Sequence, residues 1–143
     1  MSYEIILFFH IGAMLLNIGL VILADFIGLL WVIGKIKKLP QKYMMLFHKL
    51  IWIGLGVSIL SGAFLFWDVR EYLLTVPAFY TKMFFVVALV INSFLISKHL
   101  RAALRVESFK SLSTKERKTF FISGAISTIS WVMVLVTAQF LGL

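Results

Sequence analysis

Four long apolar runs, separated by prolines and basic stretches, constrain this chain more than any other feature. They extend roughly from Tyr3 to Ile33, Met44 to Trp67, Phe79 to Ser97 and Thr119 to Leu141. A helix needs about 20 mostly apolar residues to cross the hydrocarbon of a bilayer, and each run meets that length. None contains an internal proline; Pro40 and Pro77 both fall between runs, where a chain breaker belongs. A helix packed on a soluble core carries one apolar stripe at a period of 3.6 residues, whereas these runs are apolar nearly all round. The period-2 alternation of a membrane barrel is absent. Hydrocarbon offers the backbone no water, so each run must satisfy its own amides, as a helix does.

The predicted architecture is therefore all-α: an integral membrane four-helix bundle, a single transmembrane domain with basic connections at 34–43 and 98–118. Composition agrees. Apolar residues make up 62% of the chain and charged residues 14%, against roughly half and a quarter in soluble domains. That excludes disorder, which needs low hydrophobicity and high charge, and leaves too few polar residues to cover a soluble globule. The chain has no cysteine, so disulfides and thiolate chemistry are excluded. The first run lacks a basic leader and a small-residue cleavage site, so it reads as a helix that is kept rather than a signal peptide.

The net charge of +8 would suggest nucleic acid in a soluble protein. Here its placement points to topology instead. Lys35, Lys37, Lys38, Lys42 and Lys49 flank the first connection; Lys98, Arg101, Arg105, Lys110, Lys115, Arg117 and Lys118 flank the third. Arg70 and Lys82 alone lie towards the other side. The positive-inside rule then puts both connections in the cytoplasm and both termini outside, as in a bacterial inner membrane protein. The expected partners are the lipid bilayer, including anionic headgroups, and either further copies of the chain or a larger membrane complex; no nucleic acid is expected. Arg101 to Lys118 alternates basic residues with Leu104, Val106, Phe109 and Leu112. It reads equally as an extension of the third helix along the membrane surface or as a solvated loop. Tyr3, Tyr43, Trp67 and Tyr80 sit where an interfacial aromatic belt would lie.

Ionisable groups inside hydrocarbon are costly and mark candidate sites. They fall into two sets by depth. His10 and Lys82 lie one to two turns from the outer ends of their runs, with Gln139 at a compatible level. An imidazole beside an ammonium can bind an anion, ligate haem iron or pass a proton; against this, a lysine one turn deep can also snorkel to the headgroups. Asp25, His48 and His99 lie near the cytoplasmic boundary. Together they could ligate a divalent metal, and the two histidines alone could clamp a haem, with Lys49, Lys98 and Arg101 for its propionates; equally, three groups on three helices need not converge. At about 100° per residue, His10 and Asn17 share a face of the first helix, and Asn92 and His99 a face of the third. Gly54, Ser58 and Ser61 form one small-residue stripe, and Ser123, Ser127, Ser130 and Thr137 another. Such stripes read first as packing seams. Asp25, His10, Lys82, Asn17 and Asn92 are the residues a proton- or ion-linked transporter would use. No phosphate loop, metallohydrolase motif or nucleophile triad is present, so no catalytic residue can be assigned.

Three stretches, FFHIGAMLLNIGLVILADF, LIWIGLGVSILSGAFLFW leading into AFYTKMFFVVALVINSFLI, and SGAISTISW, resemble a group of small bacterial four-helix membrane proteins. The likeness covers nearly the whole chain through short hydrophobic motifs. More distantly the chain is similar to HemJ-type protoporphyrinogen oxidases and to CopD-like membrane domains. His10 and Lys82 match the early histidine and the Phe-x-x-Lys-like element of the HemJ type. That resemblance implies b-type haem as cofactor, with His10 as axial ligand, in electron transfer or tetrapyrrole chemistry. The HemJ type carries an Arg and an Asn-Glu-x-Pro element near its last span. Ser123 to Trp131 stands there instead, which argues against oxidase activity while leaving haem binding intact. A transporter and a structural subunit of a larger complex are the alternatives.

Overall fold

The computed structural model describes residues 2–142. It consists of α1 (Tyr3–Val32), α2 (Gln41–Leu73), α3 (Pro77–Arg105) and α4 (Thr114–Phe140), with one 3-10 turn at Phe109–Ser111 and no strand among the described residues. All four helices are long and apolar enough to cross a membrane.

Each of the last three helices outruns its apolar run. Once a helix is nucleated, adding a residue costs little, so α2 continues into polar sequence at both ends and α3 at its basic end. Their starts follow from proline. Pro40 caps α2 and Pro77 opens α3, positions where a missing N–H is not needed. α1 stops at Gly34, whose φ of +81° suits a residue without a Cβ. The Lys35 N–H closes back on the Leu30 carbonyl at 2.9 Å and the Gly34 N–H on Trp31 at 3.2 Å, the paired bonds of a Schellman ending. α2 breaks its helical geometry at Val69 (φ −123°, ψ 21°), a kink that nothing in the apolar pattern announces.

The basic segment after the third run divides between its two readings. Helix continues to Arg105; the chain then extends at Val106 and makes the 3-10 turn. The turn is not a solvated loop. Phe109 packs edge-on against Trp31 at 5.4 Å, and Leu112 is buried beneath it. α4 then starts on a capping box. The Ser113 hydroxyl accepts from the Glu116 N–H, while the Glu116 carboxylate accepts from the Ser113 N–H at 2.8 Å.

The helices form two antiparallel hairpins. α1 packs along α2, α3 along α4, and the hairpins meet chiefly through α1 and α4, leaving α2 and α3 in sparse contact. Both termini lie at one end of the bundle, and both basic connections at the other. Met14, Val21, Leu55, Leu89, Trp131 and Val134 fill the centre. A second cluster around Trp31, Leu39, Leu100 and Leu104 fills the basic end. Distribution is inverted relative to a soluble protein. Phe8, Phe84, Trp67 and Phe140 face outward, while His10, Asn17, Lys82, Asn92, Ser123, Ser127 and Ser130 are buried. Lipid tails solvate the first group at no cost, and only the interior can satisfy the second.

Candidate functional site

The α1–α2 seam is built on small residues of α2. Asn17 is fully buried; its amide lies against Gly54, and its Nδ2 donates to the Ile51 carbonyl at 3.4 Å. Two turns nearer the termini, a Cβ on Gly62 would stand 3.2 Å from the His10 ring. Glycine there lets the imidazole approach α2 closely and reach Ser61, with Nδ1 to Oγ at 2.9 Å.

Ser61 has one hydroxyl proton and three acceptors within reach: His10 Nδ1, the Val57 carbonyl at 2.6 Å and the Ser58 carbonyl at 3.2 Å. When that proton goes to Val57, the shortest of the three, His10 donates from Nδ1 and its Nε2 lone pair meets no donor among the described side chains.

His10 opens onto a cavity of about 340 Å³, or about 1160 Å³ with its open side included. The size is that of a ligand pocket. It lies between α2 and α3, with Met14 of α1 and Trp131 and Val134 of α4 as its floor. The lining is almost wholly apolar; its polar members are Tyr3, His10, Lys82 and Ser58, and the last three stand together. Lys82 is only 8% exposed. Most of the side chain therefore lies against protein, and no carboxylate among the described residues faces it. The Ser58 hydroxyl is buried and has no hydrogen-bond partner among the described residues. An imidazole lone pair, an ammonium and an unpartnered hydroxyl thus converge in an apolar chamber. Together they can ligate a metal centre, hold an anionic group or accept a proton.

The other predicted residues go elsewhere. Gln139 is exposed on the outer surface of α4 and takes no part in the chamber. Asn92 pairs reciprocally with Ser123: its Nδ2 donates to the Ser123 carbonyl at 2.8 Å, and the Ser123 hydroxyl donates to its Oδ1 at 3.0 Å. That bond locks α3 to α4. Asp25 lies on the exposed seam of α1 and α4, accepting from the Thr128 hydroxyl at 2.6 Å. His48 lies on the opposite seam, where its Nε2 meets Ser97 Oγ at 2.7 Å and the Trp52 N–H at 3.2 Å.

The inner three are therefore not assembled. Ser97 and His99 are two residues apart, about 200° around α3. With Ser97 turned to His48, His99 leaves the helix on the far side. Among the described residues no group of three His, Asp or Glu side chains is placed to hold a metal ion.

Sequence reasoning found His10 and Lys82 through the cost of charge in hydrocarbon. It took Ser58 and Ser61 only as part of a packing stripe, and had no signal for Trp131 as the chamber floor. Compared with family models, curated proteins and solved structures, the chain matches none of them.

Proposed function

We propose that this chain is a small multi-pass membrane protein that binds b-type haem in the chamber of His10 and Lys82, serving electron transfer or tetrapyrrole chemistry. The basic end faces the cytoplasm and the chamber lies in the outer half of the membrane. One observation carries the reading. His10 Nδ1 is tied at 2.9 Å to the Ser61 hydroxyl, which itself reaches the Val57 carbonyl, and Nε2 has no partner among the described side chains of an apolar chamber. A metal-ligating histidine is oriented in this way, one ring nitrogen donating so that the other can coordinate.

The residues present fit the group. His10 would hold the iron, Lys82 would pair with a propionate, and the open side between α2 and α3 leaves room for a macrocycle larger than the enclosed volume. The haem would supply one-electron chemistry at iron; the chain would orient it, exclude water and set its potential through the buried Lys82 charge. His48 and His99 do not serve as a clamping pair in this reading, because their rings diverge around α3. The transport reading needs Asp25 on one path with His10 and Lys82. It ranks second because Asp25 stands on the α1–α4 seam, away from the chamber.

The test is an absorption spectrum of detergent-purified protein, air-oxidised and then dithionite-reduced, from cells supplied with haem. A Soret band that sharpens with α and β bands on reduction is expected. It should be lost in His10→Ala and retained in His48→Ala and His99→Ala. A featureless spectrum, or haem content unaffected by His10→Ala, sinks the reading.

A further inference from the structure

The side of the chamber between α2 and α3 is not closed by protein. Aromatic pairs join the two helices at two levels. Near the terminal end Phe66 stacks on Phe79, rings 5.4 Å apart and 14° from parallel. Towards the basic end Trp52 packs on Phe94 at 4.9 Å, one turn from the His48–Ser97 bond. From Trp52 to Phe66 is about 21 Å of helix, which falls within the hydrocarbon core of about 30 Å. Between these pairs, Ile59 and Met83 line the chamber and are 42% and 41% exposed. Ala63 lines it and is exposed as well. Lining residues this exposed mark the chamber's open side.

What comes through is constrained by the chamber's chemistry. The body of the ligand must be apolar, because the walls are. Its head must be anionic and accept hydrogen bonds, because the polar group it meets is a buried ammonium with no carboxylate facing it and a hydroxyl with no partner. An unpaired charge in such surroundings is costly until something neutralises it.

We infer that the gap between α2 and α3 is a lateral portal through which an amphipathic anion dissolved in the bilayer enters head first and is held at Lys82 and Ser58. Haem propionates and fatty-acid carboxylates are both members of this class. The inference rests on the chamber being the binding site, and not on haem as its occupant.

Bromine quenches tryptophan only at short range, and the protein supplies its own control. Trp131 forms the chamber floor and Trp31 the sealed core at the basic end; both are almost fully buried. Haem-free protein in phosphatidylcholine vesicles is titrated with 9,10-dibromostearate. A variant keeping only Trp131 (Trp31→Phe, Trp52→Phe, Trp67→Phe) should lose most of its fluorescence, while one keeping only Trp31 should lose little. Lys82→Gln should raise the half-quenching concentration roughly tenfold or more, the worth of one hydrogen bond to a charged group. Ala63→Phe should raise it by obstructing the gap.

Equal quenching of Trp131 and Trp31 would overturn the portal, as would insensitivity to Lys82→Gln. So would quenching of Trp131 by dibromo-phosphatidylcholine as strong as by dibromostearate, since that needs no anion site. If the triple variants do not fold, the difference in quenching between the unmodified protein and Trp131→Phe carries the same test. A featureless haem spectrum with Trp131 quenched by dibromostearate removes the haem reading and keeps the portal. Bound haem with no quenching in haem-free protein does the reverse.

Discussion

Asn17 and Gly54 show how tightly single residues are fitted here. Asn17 has no exposed surface, makes one long hydrogen bond, and leaves its Oδ1 without a partner. A methyl group on Gly54 would fall on that amide, which is fully buried and would have to shift. Gly54→Ala should therefore destabilise the α1–α2 seam by about 1–3 kcal/mol, the usual cost of overpacking. Asn17→Ala should be far milder, because it also removes a buried acceptor that no group satisfies. The double variant Asn17→Ala/Gly54→Ala should recover most of the loss, a coupling read from a double-mutant cycle of denaturant or thermal unfolding in detergent. Additive effects would mean that the two residues do not touch. At this scale the sequence was partly legible. His10 and Lys82 stood out because charge in hydrocarbon is rare, and Asn17 was placed on the same face as His10. The position of the His10 proton was not legible, since it depends on Ser61 and Val57, which are about 50 residues away in the chain.

Among the elements, α4 has the most local definition at its start. Its first turn contains Thr114, Lys115, Glu116 and Arg117, too polar to be drawn in by lipid. The capping box of Ser113 and Glu116 holds it instead. Ser113→Ala should cost about 1 kcal/mol and fray the first turn, seen as faster amide exchange from Thr114 to Arg117 with the membrane-embedded part of α4 unchanged. Protection that survives the substitution would show that the packing of Phe109 and Leu112 suffices alone. The helices were readable as elements, but their ends were not. Apolar runs report where lipid is, whereas a helix ends where caps, glycine or proline end it. Hence α2 and α3 extend past Trp67 and Ser97, and α1 closes on Gly34 within a residue or so of the end of its run. The Val69 kink has no sequence signal of its own: it lies between Asp68 and Arg70, with no proline or glycine near.

The whole molecule is a pair of hairpins joined unevenly, closer along α1 and α4 than along α2 and α3. The unevenness creates the chamber. Four equally spaced helices would close on a core of side chains, but here the α2–α3 side is spanned by aromatic pairs at two levels and open between them. Orientation belongs to this scale too. Twelve of the fourteen basic residues flank the two connections at one end, so both termini should lie outside the cytoplasm. Alkaline phosphatase fused after Leu143 should be active, and green fluorescent protein at the same position dark. The opposite pattern would place the chamber in the inner half of the membrane.

Composition and run length alone determined that this chain is four membrane-crossing helices with basic connections, because both are sums over many residues, and lipid responds to sums. They also determined which side chains are too polar to be there without a reason. Only the tertiary structure decided what those side chains do. Asn92 became a clasp to Ser123, Asp25 and His48 went to opposite seams, and His10, Lys82 and Ser58 came to one chamber. The rotation of each helix about its axis made that choice. When a helix is apolar on every side, its rotation is set by a few small residues and hydrogen bonds on its neighbours, which its own sequence does not contain.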